Sequence, residues 1–486
     1  MKRVSFLLLA ALLVLTLSVP GSALADNGTP TWNSTIYYYN SGSTAGNMDV
    51  TFVNTGVGTT PAEIPSVPIA GHEFGNVNVG STGDYKGAAM ISADVPLVAV
   101  YKQYDEGGGT YAPVLYSSFD ASQSGTTGKF YLPSVLHSGY YVSKVGIQNV
   151  ESEAVKLTLH FIDAATGVDK VTLTNKILDS QGSWMFQILD DASDVPGIGS
   201  SFDGSLVIEA VKVSGGAPAR VVAAVEDLQS QGQRSYAYEG SGVAAKAFYL
   251  PYANCRYSTN QQSTTFYVQN AGSNPATISV YYYSTTGAGI TYYTYPATAR
   301  VAAGARMAVS ACDSKVYAKM NGKNGTARIT SDQPLVVIGK VTSTDGLSTA
   351  FAGLAAGSLH VVLPYIPYSK LSSGERASIN IMNVGTTAAK SVVVNYYYKN
   401  AGNTFAYQKV VLATSSAPLA KYGKYTTTPK VSGAALVDGS YLGAAEVISD
   451  QPVVVVVRIS QTVTGIPGIL TLGEDYTGVP CGVACQ

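Results

Sequence analysis

The sequence predicts an all-β protein made of four tandem antiparallel β-sandwich domains behind a cleaved signal peptide. Three observations predict it. Apolar residues alternate with polar ones in short segments along the chain. Three short landmarks recur in one order. After the N-terminal segment, no long stretch carries a 3.6-residue period, so helices should be few. The 50 Gly and 34 Tyr, with abundant Val and Thr, suit strands and the turns between them.

The leader comes first. Lys2 and Arg3 give a positive start, Phe6 to Leu17 is a short apolar run, and Ala23-Leu24-Ala25 is a small-x-small cleavage site. Residues 1–25 therefore read as a signal peptide, with the mature chain starting at Asp26. The apolar run is too short for a comfortable membrane span. No Cys sits just after the cleavage site, no later stretch holds 18 uninterrupted apolar residues, and no LPxTG-like sorting signal is found. The expectation is a secreted or cell-surface protein with no membrane span in its mature chain.

At 486 residues the chain exceeds what one core normally holds. Only 13% of residues are charged and the net charge is −1, where about 25% charged is usual. Nucleic acid, which needs a basic patch, is excluded as a partner. Sparse charge fits either a surface covered by neighbouring domains or other copies, or a Ser/Thr-rich β-protein that needs few charges.

The repeat is read from its landmarks. A strand, a tight turn and a second strand recur around Pro96, Pro218, Pro334 and Pro452, spaced 122, 116 and 118 residues apart. A second landmark reads FVNTG (Asn54), IQNVE (Asn149), VQNAG (Asn270) and IMNVG (Asn383). A third opens the later units, ending at Pro133, Pro251 and Pro364. The units are placed at 26–116, 129–228, 247–343 and 359–462, with a tail at 463–486 carrying a CGVAC loop. Gly/Ser/Ala-rich segments at 117–128, 238–246 and 345–358 read as linkers. The first unit is short and atypical, as terminal repeats often are. It opens with Ile36 to Tyr39 and lacks about 20 residues, because Asn54 lies only 95 residues before Asn149.

After each Asn comes a strand of period 2. Leu157, Leu159 and Phe161 share a face in the second unit, Ile278, Val280 and Tyr282 in the third, and Val392, Val394 and Tyr396 in the fourth. One face in and one out marks an antiparallel sheet packed on a second sheet. Val268-Gln269-Asn270-Ala271-Gly272 and Ile381-Met382-Asn383-Val384-Gly385, each followed by alternating Val and Tyr, resemble the immunoglobulin-like repeats of bacterial surface proteins, in particular CARDB-like modules. The resemblance covers almost the whole mature chain. It implies adhesive, spacer or wall-building units, and it specifies fold rather than activity.

Candidate chemistry is thin. Asp94, Asp332 and Asp450 precede the repeated Pro by two residues, and in the second unit Gly216 stands there. They read as turn residues whose carboxylates accept a backbone N–H. His72, His137, His160 and His360 form no ligand pattern. Asp190, Asp191 and Asp194 form the densest acidic spot, read as a solvated loop before a calcium site. No Ser-His-Asp arrangement, GxSxG or P-loop is seen, so no catalytic residue, metal ligand or cofactor is assigned.

Four Cys in an exported chain suggest disulfides. Cys255 and Cys312 share the third unit, and Cys481 and Cys485 lie together in the tail, but sequence cannot choose among three pairings. Tyrosine triplets at 37–39, 281–283 and 396–398 must present Tyr on both faces. Tyr37, Tyr38, Tyr39, Tyr281, Tyr283 and Tyr397 are the contact candidates. Strand packing, protein contact and sugar stacking are the three readings.

These observations lead to a non-enzymatic structural subunit of an extracellular bacterial assembly: a surface layer, sheath or filament acting by self-association of its repeats. The partner is then another copy of the chain. The alternative is a monomeric adhesin or polysaccharide-binding surface protein, with a cell-surface glycan as partner. The strand at Ile36 to Tyr39 either completes its own unit or pairs with a neighbouring molecule's sheet edge.

Overall fold

The computed structural model describes residues 8–12, 32–54, 62–79, 87–105, 114–117, 119, 123–229, 234–295, 300–371, 374–399, 405–430, 441–463 and 470–481. Among them the protein is nearly all strand, with one short helix, in several antiparallel sheets.

The first unit holds β1 (Leu8–Leu12), β2 (Trp32–Asn40), β3 (Gly46–Asn54), β4 (Ala62–Ile69), β5 (Phe74–Asn78), β6 (Gly87–Ala93), β7 (Leu97–Asp105) and β8 (Val114–Ser117). The second holds β9 (Lys129–His137), β10 (Tyr141–Asn149), β11 (Val155–Asp163), β12 (Asp169–Leu178), β13 (Ser183–Gln187), β14 (Phe202–Lys212), β15 (Val221–Gln229) and β16 (Ser235–Glu239). In the third are β17 (Ala245–Leu250), β18 (Ser263–Asn270), β19 (Ile278–Ser284), β20 (Gly289–Tyr295), β21 (Arg306–Ser310), α1 (Ser314–Met320), β22 (Gly325–Thr342) and β23 (Ser348–Ala352). The fourth has β24 (Ser358–Tyr368), β25 (Arg376–Asn383), β26 (Val392–Lys399), β27 (Phe405–Ala413), β28 (Lys424–Thr427), β29 (Tyr441–Thr462), β30 (Thr471–Thr477) and β31 (Val479–Pro480).

Each unit is two four-stranded sheets face to face. The first unit orders them β1-β6-β3-β4 and β5-β2-β7-β8. The second repeats this as β9-β14-β11-β12 and β13-β10-β15-β16, with β9 and β10 meeting at one residue pair. In the last two units the counterparts of β6 and β7 are one strand, and β22 and β29 pass from one sheet into the other. The period-2 residues fill the space between sheets: Leu157, Leu159, Phe161, Ile278, Val280, Tyr282, Val392, Val394 and Tyr396 are fully buried.

Several readings of the sequence change. The asparagine of the first unit is Asn40, at the end of β2, and not Asn54, which ends β3. Asn40, Asn149, Asn270 and Asn383 each donate their side-chain amide to the carbonyl four residues on, and each accepts from the backbone N–H two residues on. Asn40 lies 109 residues before Asn149, so no 20-residue deletion exists there. Ile36 to Tyr39 is therefore not an opening strand. It lies in the middle of its own sheet, paired with β5 and β7. The opening strands of the later units are β9, β17 and β24, and in the first unit that place is held by Leu8–Leu12, inside the segment read as leader.

The tight turn at the repeated proline is also absent from the last two units, where Pro334 and Pro452 sit inside β22 and β29. Asp94, Asp332 and Asp450 do accept backbone N–H groups, but from the start of the neighbouring strand, at Asn47, Thr277 and Ser391. The carbonyls of Pro96, Pro334 and Pro452 accept from the residue after the landmark Asn; in the second unit Arg220 takes that place, two residues past Pro218. Gly216 is thus no counterpart of the Asp. It belongs to a β14–β15 hairpin, at φ +70°.

Strands also occupy segments read as linker or tail. β16 starts before and enters 238–246, β23 lies within 345–358, and β30 and β31 lie within 463–486. These strands, with β8, are what join the units. β8 packs against β16, β16 against β23, β23 against β30, and β30 against β8. The four units therefore close into a ring around a bundle of four strands. The accessible surface is 19480 Å². Four separate sandwiches of a quarter of this mass would expose about 25,000 Å².

Candidate functional site

The functional geometry lies at the seams between units and on the axis they share. The axis is held by hydrogen bonds at one register of its four strands. Thr477, Ser117 and Glu239 come from β30, β8 and β16, at matching positions of three units. Ser117 Oγ donates to the Thr477 carbonyl at 2.5 Å, and the Ser117 N–H donates to Glu239 Oε1. Thr477 Oγ1 donates to the carbonyl of Ala352, the matching residue of β23, at 3.1 Å. Serine, threonine and alanine let four backbones approach closely, which is why this segment looked like linker. Burial pushes the Glu239 carboxyl up to about 7, against the hydrogen bonds it accepts.

Six residues past the proline position, each unit carries a charged residue directly after an apolar run of its strand: Lys102, Glu226, Lys340 and Arg458. All four are buried, and three make the strongest seam contacts. Lys340 meets Asp227 of the second unit at 2.5 Å and Ser134 at 2.8 Å. Arg458 pairs with Asp475 at 2.7 Å and donates to Thr349 and Gln262 of the third unit. Lys102 reaches the fourth unit, where it meets Glu474 at 2.6 Å and Glu375. Burial would lower the Lys102 pKa, but these two carboxylates hold it well above its ordinary value. One cation serves two acids. Burial raises Glu474 to about 7, while Lys102 draws Glu375 down. Glu226, the exception in sign, is raised by burial to about 8.

A second seam position opens β13, β21 and β28, one residue past the carbonyl that accepts the landmark Asn N–H. Ser183 donates to Val53 of the first unit. Arg306 bonds Gly204 and Asp203 of the second. Lys424 bonds Asn324 and Gly325 of the third, at 2.7 and 3.3 Å. Burial drives the Lys424 ammonium down to about 7. Phe74 holds the same position in the first unit and packs edge-on against Phe405 of the fourth, with centroids 5.7 Å apart.

The tyrosine candidates divide between these seams and the core. Tyr37 stacks on Tyr365 of the fourth unit with centroids 3.9 Å apart. Tyr38 turns into the first unit's core. Tyr39 is fully buried, donates to Glu446 at 2.9 Å, and packs 5.3 Å from Tyr397, which donates to the other oxygen of Glu446 at 3.1 Å. His360 lies 3.3 Å from that same oxygen, and His72 stacks on Tyr397. Tyr283 packs against Tyr422 of the fourth unit at 4.5 Å. Tyr281 is half-buried and stacks on Tyr292, which is 65% exposed. So Tyr37, Tyr39, Tyr283 and Tyr397 join units of one chain.

Cys255 and Cys312 form a disulfide within the third unit, their Cα atoms 5.0 Å apart. Cys481 is also disulfide-bonded, and its N–H donates to His360; Cys485 lies outside the described residues. Asp190, Asp191 and Asp194 do not converge. Each accepts backbone N–H groups of its own loop, from Gly197, Ser193 and Gln187. His160 pairs with Asp169 at 2.9 Å on the outer face of β11. Among the described residues, no three His, Cys, Asp or Glu side chains gather as a metal site, and no helix is long and apolar enough to cross a membrane.

The seam charges were the signal that sequence reading missed. A lone Lys, Glu or Arg ending LVAVYK, VVAAVE, LVVIGK and VVVVVR at one register is visible once the four strands are aligned on the landmark Asn. No protein-family model and no curated protein matches the chain.

Proposed function

We propose that the protein is a non-enzymatic structural subunit of an extracellular bacterial assembly, working as a ring of its four units after export. Removal of the leader takes Leu8–Leu12 with it and leaves β6 as an edge of the first unit's sheet. The carrying observation is the seam between the fourth and first units. It joins the two ends of the chain with the same kind of buried contacts that join consecutive units. Buried Lys102, Lys340, Arg458 and Lys424 each bond across a seam, which suits a rigid part. Assembly is then association of the four-unit chain with other copies of itself. Negative-stain microscopy of residues 26–486 across a concentration series tests this. Ring-shaped particles that order into filaments or sheets are expected. Dispersed rings at every concentration would remove self-association.

A second reading, binding of a polysaccharide, is favoured by one feature. Half-buried Tyr281 and exposed Tyr292 form an aromatic pair on the outer face of the third unit, and such rings stack on sugars. A glycan screen in which Tyr292→Ser abolishes binding while particle shape is kept would move the function there.

A further inference from the structure

Three seams of the ring join units that are consecutive in the chain. The fourth joins units with no chain between them. The closing seam is nevertheless complete. It contains the Tyr37–Tyr365 stack, the Tyr39–Tyr397 pair on Glu446, the Phe74–Phe405 contact and the buried Lys102 between Glu375 and Glu474. It is heterologous: the first unit offers one surface and the fourth a different one. Heterologous contacts give a closed ring or an open chain according to whether the last unit meets its own first unit or another's.

We propose that this closing seam is also the assembly contact, so that the fourth unit of one copy docks on the first unit of a second copy and opened rings join head to tail. This rests on the self-association reading above and names its surface. The occupant is a second copy because the surface already has a complementary partner, and that partner is part of the same chain. Lys102 is buried, and a foreign surface would need two carboxylates placed like Glu375 and Glu474 to keep its charge paired. The exchange needs no contact that the closed ring lacks, as in domain swapping.

Closure within one chain benefits from an effective concentration on the order of millimolar. Dilute protein is therefore closed, and exchange takes over where copies are crowded or where units emerge in sequence. During synthesis the first unit is complete before its own fourth unit exists. In that interval a finished copy's fourth unit can reach it.

The test uses two variants of the mature chain, Tyr37→Cys and Tyr365→Cys. They are unfolded together with native disulfides intact, refolded as a mixture at rising concentration, and treated with a short bismaleimide. A product joining one chain of each variant is expected. Its fraction should rise at least tenfold between micromolar and near-millimolar protein. The pair Phe74→Cys and Phe405→Cys repeats the test at a less buried contact if the first pair fails to fold. The proposal is overturned if neither mixture yields a cross-chain product while the corresponding double variants link within one chain. Ordered assemblies without cross-chain product would sink this seam and leave self-association standing. Dispersed single rings without it would sink both.

Discussion

Asn40, Asn149, Asn270 and Asn383 show how one side chain fixes a turn. In the third unit the Asn270 amide donates to Asn274, Val301 and Ala302, and its oxygen accepts from Gly272. Asp cannot donate and Ala cannot do either, so the carbonyls would stay buried and unpaired. Asn270→Ala is expected to lower unfolding stability by about 3 kcal/mol, read from urea denaturation. The motif was legible in sequence, but its first copy was mistaken. Asn54 in FVNTG and Asn40 in YYYNSG both end apolar strands, and it is the side-chain hydrogen bonds of Asn40 that mark it as the copy. Glu239 makes a second prediction at this scale. Its folded pKa of about 7 lies above its unfolded value of 4.5, so the bound proton stabilises the ring. That contribution is whole below pH 4.5 and lost as pH rises through 7, an effect of about 3 kcal/mol. Glu226 and Glu474 act in the same direction. Lys424, with its lowered pKa, adds stability only as pH climbs from about 7 toward 10.5. Urea midpoints should therefore fall between pH 5 and pH 7.5. Glu239→Gln keeps an acceptor for the Ser117 N–H and should flatten the fall, with a gain at pH 7.5 and little change at pH 5.

At the scale of elements, the sequence told strands from helices, and inner from outer faces, because burial imposes period 2 directly on the residues. It did not tell where one unit ends. Ser348-Thr349-Ala350-Phe351-Ala352 reads as a flexible joint by composition, yet it is β23, packed between β16 and β30. Small side chains signal disorder when solvated and close packing when surrounded, and composition alone cannot distinguish the two. β22 and β29 were misread for a related reason. Pro334 and Pro452 sit where a strand leaves one sheet for the other, a place where a missing N–H costs little. The third unit depends on a further element-level link. Cys255 and Cys312 close a loop with a sequence separation of 57 residues. The chain-entropy relation gives about 4 kcal/mol for a loop of that size. The double substitution Cys255→Ala, Cys312→Ala should lower the unfolding free energy by that order and leave the far-ultraviolet spectrum of strands intact. An unchanged urea midpoint would show that this bond contributes nothing to stability.

At the scale of the molecule, the sparse charge has a physical reading: about a fifth of the surface that four separate units would expose is covered by their neighbours. The ring itself was not legible. Four tandem sandwiches fit a rod equally well, because the choice depends on which side chains meet across units and not on any unit's pattern. Lys340 illustrates the difference. Its partner Asp227 lies 113 residues away and is fully buried, so neither charge can be solvated by the unit that carries it. Lys340→Ala would leave Asp227 buried without a cation, and it should destabilise the ring by about 3–5 kcal/mol. The closing seam allows a test of shape. A compact chain of this length has a radius of gyration of about 23 Å, and a ring is slightly wider. Four sandwiches end to end, each on the order of 35 Å long by its strands, would exceed roughly 40 Å. Small-angle scattering of dilute mature protein should therefore give a value in the twenties. Breaking the first unit's side of the seam with Tyr37→Ser and Lys102→Ala together should raise it, because the three linked seams survive and the ring opens to an arc. A wild-type value above about 40 Å would mean that the units do not close, and that the contacts of Tyr37, Tyr39 and Lys102 with the fourth unit are not made within one dissolved molecule.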